Sequence, residues 1–342
     1  MIVVLTGGTG GAKLAQGMQQ VVPPGELTVI VNTGDDLEWW GLHVSPDLDS
    51  VLYGLAGVLS KERGWGVAGD TFRCLERMQQ LGQPAWFSLG DLDLATHLTR
   101  TAMLRAGKTL SQATEELAAR FGIGARVLPM SDDRVSTMLE TSKGTLRFQE
   151  YFVRERHEVE VQAVRLEGAE QACPAPGVLK SIASADAIVL APSNPVTSIG
   201  PILAVPGVRE ALRRTAAPVV AVSPIVGGAA VSGPAAALMK MMGWPSTIAG
   251  VAQAYEDFLD VLVADEADAR AVSTQPSAFS QIDKDMASLR FTIHDSRSTI
   301  HDPQPKQVRM VYTSIIMRSD EDKRELAAFV LDACAASQGA KA

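Results

Sequence analysis

Cysteine is scarce in this 342-residue chain: Cys74, Cys173 and Cys334 lie far apart, and none belongs to a CxxC pair. That spacing supplies neither a disulfide framework nor a zinc ribbon, and it points to a reducing compartment. Basic charge is short as well, with 31 Lys and Arg against 39 Asp and Glu and a net charge of −8. Sequence-independent nucleic-acid binding needs a cationic surface that displaces counterions, so no nucleic-acid partner is expected. A local basic pocket for a small phosphorylated ligand remains compatible with that charge. Long apolar runs are missing; none approaches the ~18 consecutive residues of a membrane span. The apolar start Ile2–Leu5 has no basic segment before it and glycines straight after it, unlike a secretory signal. A cytoplasmic protein without a membrane partner is expected. Histidines number five, and no HExxH, EF-hand loop or Ser/His/Asp spacing supports zinc-protease or triad chemistry.

What is present is a globular composition, 46% apolar and 20% charged, enough for a sizeable core. Ile2–Leu5 reads as a short buried strand, Gly7–Gly11 as a glycine-rich turn, Ala12–Val22 as a helix stopped by Pro23-Pro24, and Leu27–Val31 as a second strand. Together they make a βαβ unit, hence a parallel sheet with a right-handed crossover. Ala187–Leu190 and Val219–Val222, with a helical stretch near Val208–Arg214 between them, form a second unit. Thr71–Gln80, Leu92–Ala106 and Ser111–Phe121 have helical spacing, and the β-like runs Arg126–Pro129 and Thr145–Val153 follow. The predicted organisation is an α/β main domain from 1–70 and 155–342, with a mainly helical insertion, 71–154, over the C-terminal edge of the sheet. Asp268–Lys306 predicts a long loop or flap, Val308–Met317 a strand, and Glu321–Ala335 an amphipathic helix.

Three stretches carry chemistry. Gly7-Gly8-Thr9-Gly10-Gly11-Ala12-Lys13 lies between a strand and a helix, where glycines admit a phosphate and the helix N-terminus offers unpaired N–H groups. It is not a Walker loop, because Lys13 follows Ala12 and precedes Leu14; nor is it a dinucleotide fingerprint, whose third glycine would fall at Lys13. The glycines exceed what a plain turn needs, so phosphate contact is expected. Asn32-Thr33-Gly34-Asp35-Asp36 ends the second strand, and Pro46-Asp47-Leu48-Asp49 follows. Carboxylates converging on a phosphate loop at the strand ends suit a hard cation such as Mg²⁺; the alternative is that they cap turns and helix starts, as Asp49 would. Pro192-Ser193-Asn194-Pro195 offers hydroxyl, amide and backbone N–H groups to a nucleotide. Ser131–Asp133 and Ser223–Gly228 are weaker polar candidates, and His97 reads as a structural histidine. Trp39, Trp40, Trp65 and Trp86 read as core or as a stacking surface for a flat ring.

With these residues in view, the chain resembles the 2-phospho-L-lactate transferase family of coenzyme F420 biosynthesis. The likeness rests on GGTGGAKL, NTGDD, SPDLDSVLY, RGWGVAGDTF, LGDLDLATH, LPMSDDRVST, LAPSNPVTSIGPI and SPIVGGAAVSGPAA, in that order. It implies a Rossmann-like α/β fold with a smaller helical part, a homodimer and Mg²⁺ dependence. The implied reaction moves a phospho-acyl unit (2-phospholactyl, enolpyruvyl phosphate or phosphoglyceryl) from a guanosine diphosphate donor to the deazaflavin Fo, releasing GMP. Carried over by motif, Gly8, Thr9, Gly10, Gly11, Lys13, Asn32, Ser193, Asn194 and Pro195 would hold the donor. Asp35 and Asp49 would hold the metal and the reacting groups, and Asp49, Ser88, Asp91 and His97 would contact Fo. Ser88 stands where some relatives carry a basic residue, and Leu92 where others carry arginine. Phosphoryl transfer asks for positioning and charge neutralisation rather than covalent help, which this set supplies; Asp49 or Asp35 is also a candidate proton acceptor. A second reading, from the related gluconeogenesis-factor group with its glycine-rich start, is a non-catalytic UDP-sugar-binding regulator. A dinucleotide-dependent oxidoreductase ranks lower, because the third glycine and the acidic ribose reader are missing.

Overall fold

β1 (Ile2–Thr6), α1 (Gly8–Val21) and β2 (Leu27–Val31) form the first expected unit, with β1 and β2 parallel from Ile2↔Leu27 to Thr6↔Val31. The computed structural model describes residues 1–269 and 308–341, so the flap expected over 268–306 lies, after its first two residues, outside the described residues. Between β2 and the next sheet strand come the hairpin β3 (Leu37–Trp39) and β4 (Leu42–Val44), then α2 (Pro46–Leu55), α3 (Arg73–Gln80), α4 (Asp91–Arg105) and α5 (Leu110–Arg120). The hairpin turns on Trp40 and Gly41, both with positive φ, the geometry that matches strand twist in a two-residue turn.

The central sheet has seven strands. With β5 (Arg126–Pro129), β9 (Ala187–Leu190), β10 (Val219–Val222), β13 (Val261–Asp265) and β14 (Arg309–Thr313), its order is β14-β13-β10-β9-β1-β2-β5, and all neighbours are parallel. Alternate residues of β1 serve opposite layers, as a period of two requires. Val3 and Leu5 pack with Ile188, Leu190 and Ile202 on one face, while Val4 packs with Leu14, Leu48 and Val51 on the other. Burial on both faces explains why these strands read as unbroken apolar runs. On the Val4 face α1 lies against α2 and against the C-terminal helix α11 (Asp320–Lys341). A side chain at Gly17 would strike the Lys323 backbone, so glycine sets that close approach.

The insertion expected over 71–154 divides differently in two elements. Arg126–Pro129 is the edge strand of the central sheet, because Val127 and Leu128 bury on its two opposite faces. β6 (Ser136–Thr141) pairs with β7 (Gly144–Arg147) and, across the expected boundary at 154, with β8 (Val161–Glu167) in a separate antiparallel sheet. Of the run Thr145–Val153 only its first residues are strand; Glu150–Arg154 is a π-helical turn.

Candidate active site

From β1 the chain moves one way along the sheet to β2, and from β9 the other way to β10, so neighbours β1 and β9 form the topological switch point. Ligands of open parallel sheets bind outside the strand ends at such a point. The two loops here are pressed together. A Cβ on Gly10 would lie 2.9 Å from the Pro192 carbonyl oxygen, one on Gly11 would overlap Thr6 and Ser193, and one on Gly7 would crowd Asp47, Ser198 and Asn32. Three of the four glycines therefore admit neighbouring protein rather than ligand. Gly8 differs: its φ is +67°, and a Cβ there would meet nothing within 4 Å. Its open side is the space a phosphate needs at a helix N-terminus whose Gly7 cap provides no side chain.

Ser193 and Asn194 are engaged locally. Ser193 Oγ donates to the Gly7 carbonyl at 2.7 Å, and Asn194 Oδ1 accepts from Val196 N–H at 2.9 Å, starting the π-helical turn Pro195–Ile199. Lys13 Nζ donates to the Met317 carbonyl at 3.4 Å. The expectation that these side chains hold the donor thus meets a structure in which Ser193 ties its loop to the glycine turn, Asn194 caps its own turn and Lys13 reaches the segment before α11.

Beside the glycine turn lies an acidic cluster built around Asn32, which is fully buried at the end of β2. Its Nδ2 is 2.8 Å from Asp47 Oδ2 and 3.2 Å from Asp35 Oδ2, and its Oδ1 accepts from Gly34 N–H at 2.8 Å. Asp47, in the first turn of α2, also accepts a backbone hydrogen bond from Gly8. Burial, against the hydrogen bonds from Asn32 and Gly8, pushes the Asp47 carboxyl up to about 6. Burial and then the neighbouring Asp47 charge raise Asp35 well above the usual carboxylate range, and its Oδ1 is buried without a hydrogen-bond partner. Asp36 is raised mainly by burial and partly held down by His43, whose Nε2 is 3.0 Å away, and by Ser45.

Asp49 faces the other way, toward α4. Arg100 is fully buried and grips both its oxygens, Nη1 donating to Oδ2 at 3.1 Å and Nη2 to Oδ1. His97 Nδ1 lies 3.5 Å from Asp49 Oδ2, its Nε2 lies 3.2 Å from Asp93 Oδ1, and Tyr53 OH donates to Asp93 at 2.6 Å. Asp49, expected beside Asp35 at the metal, is instead paired with the Arg100 guanidinium, and the carboxylate that shares Asn32 with Asp35 is that of Asp47. His97 is buried in this network next to Asp49. Ser88 is half-buried in the segment leading to α4. Asp91, expected against Fo, has its carboxylate engaged locally: it accepts from Thr71 Oγ1 and from the N–H groups of Arg73 and Cys74, capping α3, and those bonds lower its pKa. Asp70 returns the exchange by capping α4 through Leu92 and Asp93 N–H.

Sequence reasoning passed over Arg100, Asp93 and Tyr53. The available signal was spacing: Asp93, His97 and Arg100 sit at i, i+4 and i+7, one helix face, while Leu92 and Leu98 are among the exposed side chains. A helix that buries an aspartate, a histidine and an arginine on one face while two of its leucines face solvent marks a buried polar site.

A cavity of about 670 Å³ opens beside the cluster, lined among others by Thr33, Asp36, His43, Thr101, Arg105 and Lys108. Among the described residues, no group of three or more His, Cys, Asp or Glu is arranged to hold an ion alone. Asp35, with its unpartnered oxygen, and Asp47 provide two carboxylates held side by side by Asn32, Asp47 also packing against Gly7. Mg²⁺ is held by one or two carboxylates together with substrate phosphates and water, so the donor set fits that ion once a diphosphate is present.

A profile of the family described as "2-phospho-L-lactate transferase CofD" matches residues 2–298. Over 283 residues the chain is 52% identical to the phosphoenolpyruvate transferase of Streptomyces griseus subsp. griseus, covering 81% of this chain and 89% of that one. Over 267 residues it is 46% identical to the 2-phospho-L-lactate transferase of Methanosarcina acetivorans, covering 78% and 86%. Among solved structures, a UPF0052 family member from Bacillus halodurans superposes with a TM-score of 0.59 over 96% of this chain and 98% of that one. At 16% identity, this likeness shows the fold alone.

Proposed function

Because the chain belongs to the 2-phospho-L-lactate transferase CofD family and is a transferase of coenzyme F420 biosynthesis, we propose that it moves a phospho-acyl unit from a guanosine diphosphate donor to the deazaflavin Fo, releasing GMP. The observation that carries the site is the packing of the Asp47 carboxylate against the glycine turn at the switch point, where a Cβ on Gly7 would lie 2.5 Å from Asp47 Oδ2, which joins the turn and the carboxylates into one locus.

In this reading the N–H groups of Thr9 and Gly10, in the first turn of α1, receive the diphosphate on the open side of Gly8, favoured by the positive end of the helix. Asp35 and Asp47 would hold Mg²⁺, which supplies neutralisation of the charge that builds on the phosphate oxygens. Asp49 receives the acceptor hydroxyl and takes its proton as the new P–O bond forms and the P–O bond to GMP breaks. Ser88 and His97 border the acceptor end, whereas Asp91 holds α3. Fixed dipoles and charges of this kind act without reorganising during the reaction. The reading includes a cytoplasmic homodimer with small-molecule substrates. The acidic net charge opposes a nucleic-acid partner, and no helix among the described residues is long and apolar enough to cross a membrane. The regulator reading falls away because the curated relatives quoted above are named transferases.

The relatives carry the names of two different acids, so the test compares donors. Purified protein is incubated with Fo, Mg²⁺ and the 2-phospholactyl, enolpyruvyl-phosphate or phosphoglyceryl guanylyl donor, and the product is weighed. One donor is expected to give Fo plus a single phospho-acyl unit, with GMP. No product from any donor, alongside binding of a UDP-sugar, would overturn the reading.

A further inference from the structure

We propose that Arg100 is a positioning residue for phospho-acyl transfer: its buried guanidinium fixes the Asp49 carboxylate in the orientation that receives the acceptor hydroxyl. The inference rests on the function proposed above and adds a residue outside its donor, metal and acceptor contacts. Three observations carry it. Arg100 is the largest side chain in the described core with essentially no exposure, and its two terminal nitrogens engage both oxygens of Asp49. A planar fork on a carboxylate fixes direction as well as charge, which an ammonium cannot do. His97 and Asp93, on the same face of α4, together with Tyr53, one turn beyond Asp49 on α2, brace the pair on its remaining side. Burying an arginine and an aspartate is poor value for stability alone, because desolvation offsets their attraction. A pair retained two residues from Asp47, where α2 meets the glycine turn, makes sense if the direction of Asp49 matters to the reaction.

The test is a double-mutant cycle with separate KM values for Fo and for the guanylyl donor. Arg100→Lys keeps the charge and loses the fork. It is expected to lower kcat/KM for Fo by about 10- to 100-fold while donor KM stays within about twofold, since misdirecting one reacting group by a fraction of an ångström has effects of this order. In an Asp49→Asn background the same change should add no further loss, because Arg100 acts through Asp49 and not through its longer contact, 3.4 Å, with His97 Nδ1. Additive losses, or equal damage to donor and Fo kinetics, would overturn the proposal. If Arg100→Lys fails to fold, Asp49→Asn/Arg100→Gln, which leaves no buried charge unpaired, is compared with Asp49→Asn alone. Equal kinetics support the proposal, and a further loss at unchanged melting temperature overturns it. Failure of both variants to fold makes Arg100 purely structural and overturns it as well. Wild-type turnover in the same assay separates the two readings: an inactive wild type removes the proposed function, whereas an active wild type with unimpaired Arg100 variants removes only this inference.

Discussion

Asp47 and Asp49 stand two residues apart on one helix in opposite surroundings, Asp49 gripped by a cation and Asp47 supported by neutral donors. Asp47 titrates near 6 in the folded chain against an ordinary 3.8, so the folded state binds its proton more tightly than the unfolded state does. Its contribution to stability is then complete below pH 4 and is lost as pH rises through 6, a change on the order of 3 kcal/mol. Asp35 acts in the same direction. In EDTA the melting temperature is expected to fall between about pH 4 and 6, and Asp47→Asn should flatten that slope. A wild-type profile that rises over this window would contradict the assignment. The sequence displayed all four aspartates but not their division of labour. Which one is neutralised depends on Arg100, 51 residues further along, and no local pattern encodes that meeting.

At the scale of elements, α3 and α4 exchange caps: Asp70 serves the start of α4 and Asp91 the start of α3. Gly90 is small because Asp70 packs against it. The two Gly-Asp steps in RGWGVAGDTF and LGDLDLATH are therefore one structural device, although the family resemblance implied an Fo contact for Asp91. Asp70→Ala should destabilise the protein by about 1 kcal/mol, the usual worth of an N-cap. Because α4 carries His97 and Arg100, it should also weaken Fo kinetics before donor kinetics; unchanged Fo kinetics would separate the cap from the site. Asp91→Ala should instead speed amide exchange over Arg73–Gln80, a helix with no fully buried side chain, and leave α4 protected. The long helices were legible from their period. Arg126–Pro129 was legible as a strand but not as part of the sheet, since four residues carry no address, and the pairing of β6 with β8 across the expected boundary depends on tertiary register.

For the whole molecule, the two βαβ units foreshadowed the parallel sheet, and the order β9-β1-β2 places the opening glycines where such sheets bind ligands. The glycine count misled in one respect, because close packing of the two strand-end loops accounts for Gly7, Gly10 and Gly11 and leaves Gly8 to face open space. The central claim is that one locus, formed by the α1 N-terminus with Asp35 and Asp47, takes both the diphosphate and the divalent ion. A crystal grown with GDP and Mn²⁺, read by manganese anomalous scattering, tests it most directly. The predicted result is a peak between the Asp35 and Asp47 carboxylates, shared with a diphosphate on the Thr9 and Gly10 amides. A peak beside Asp132 and Asp133, or a diphosphate held by Arg105 and Lys108 in the neighbouring cavity, would contradict it.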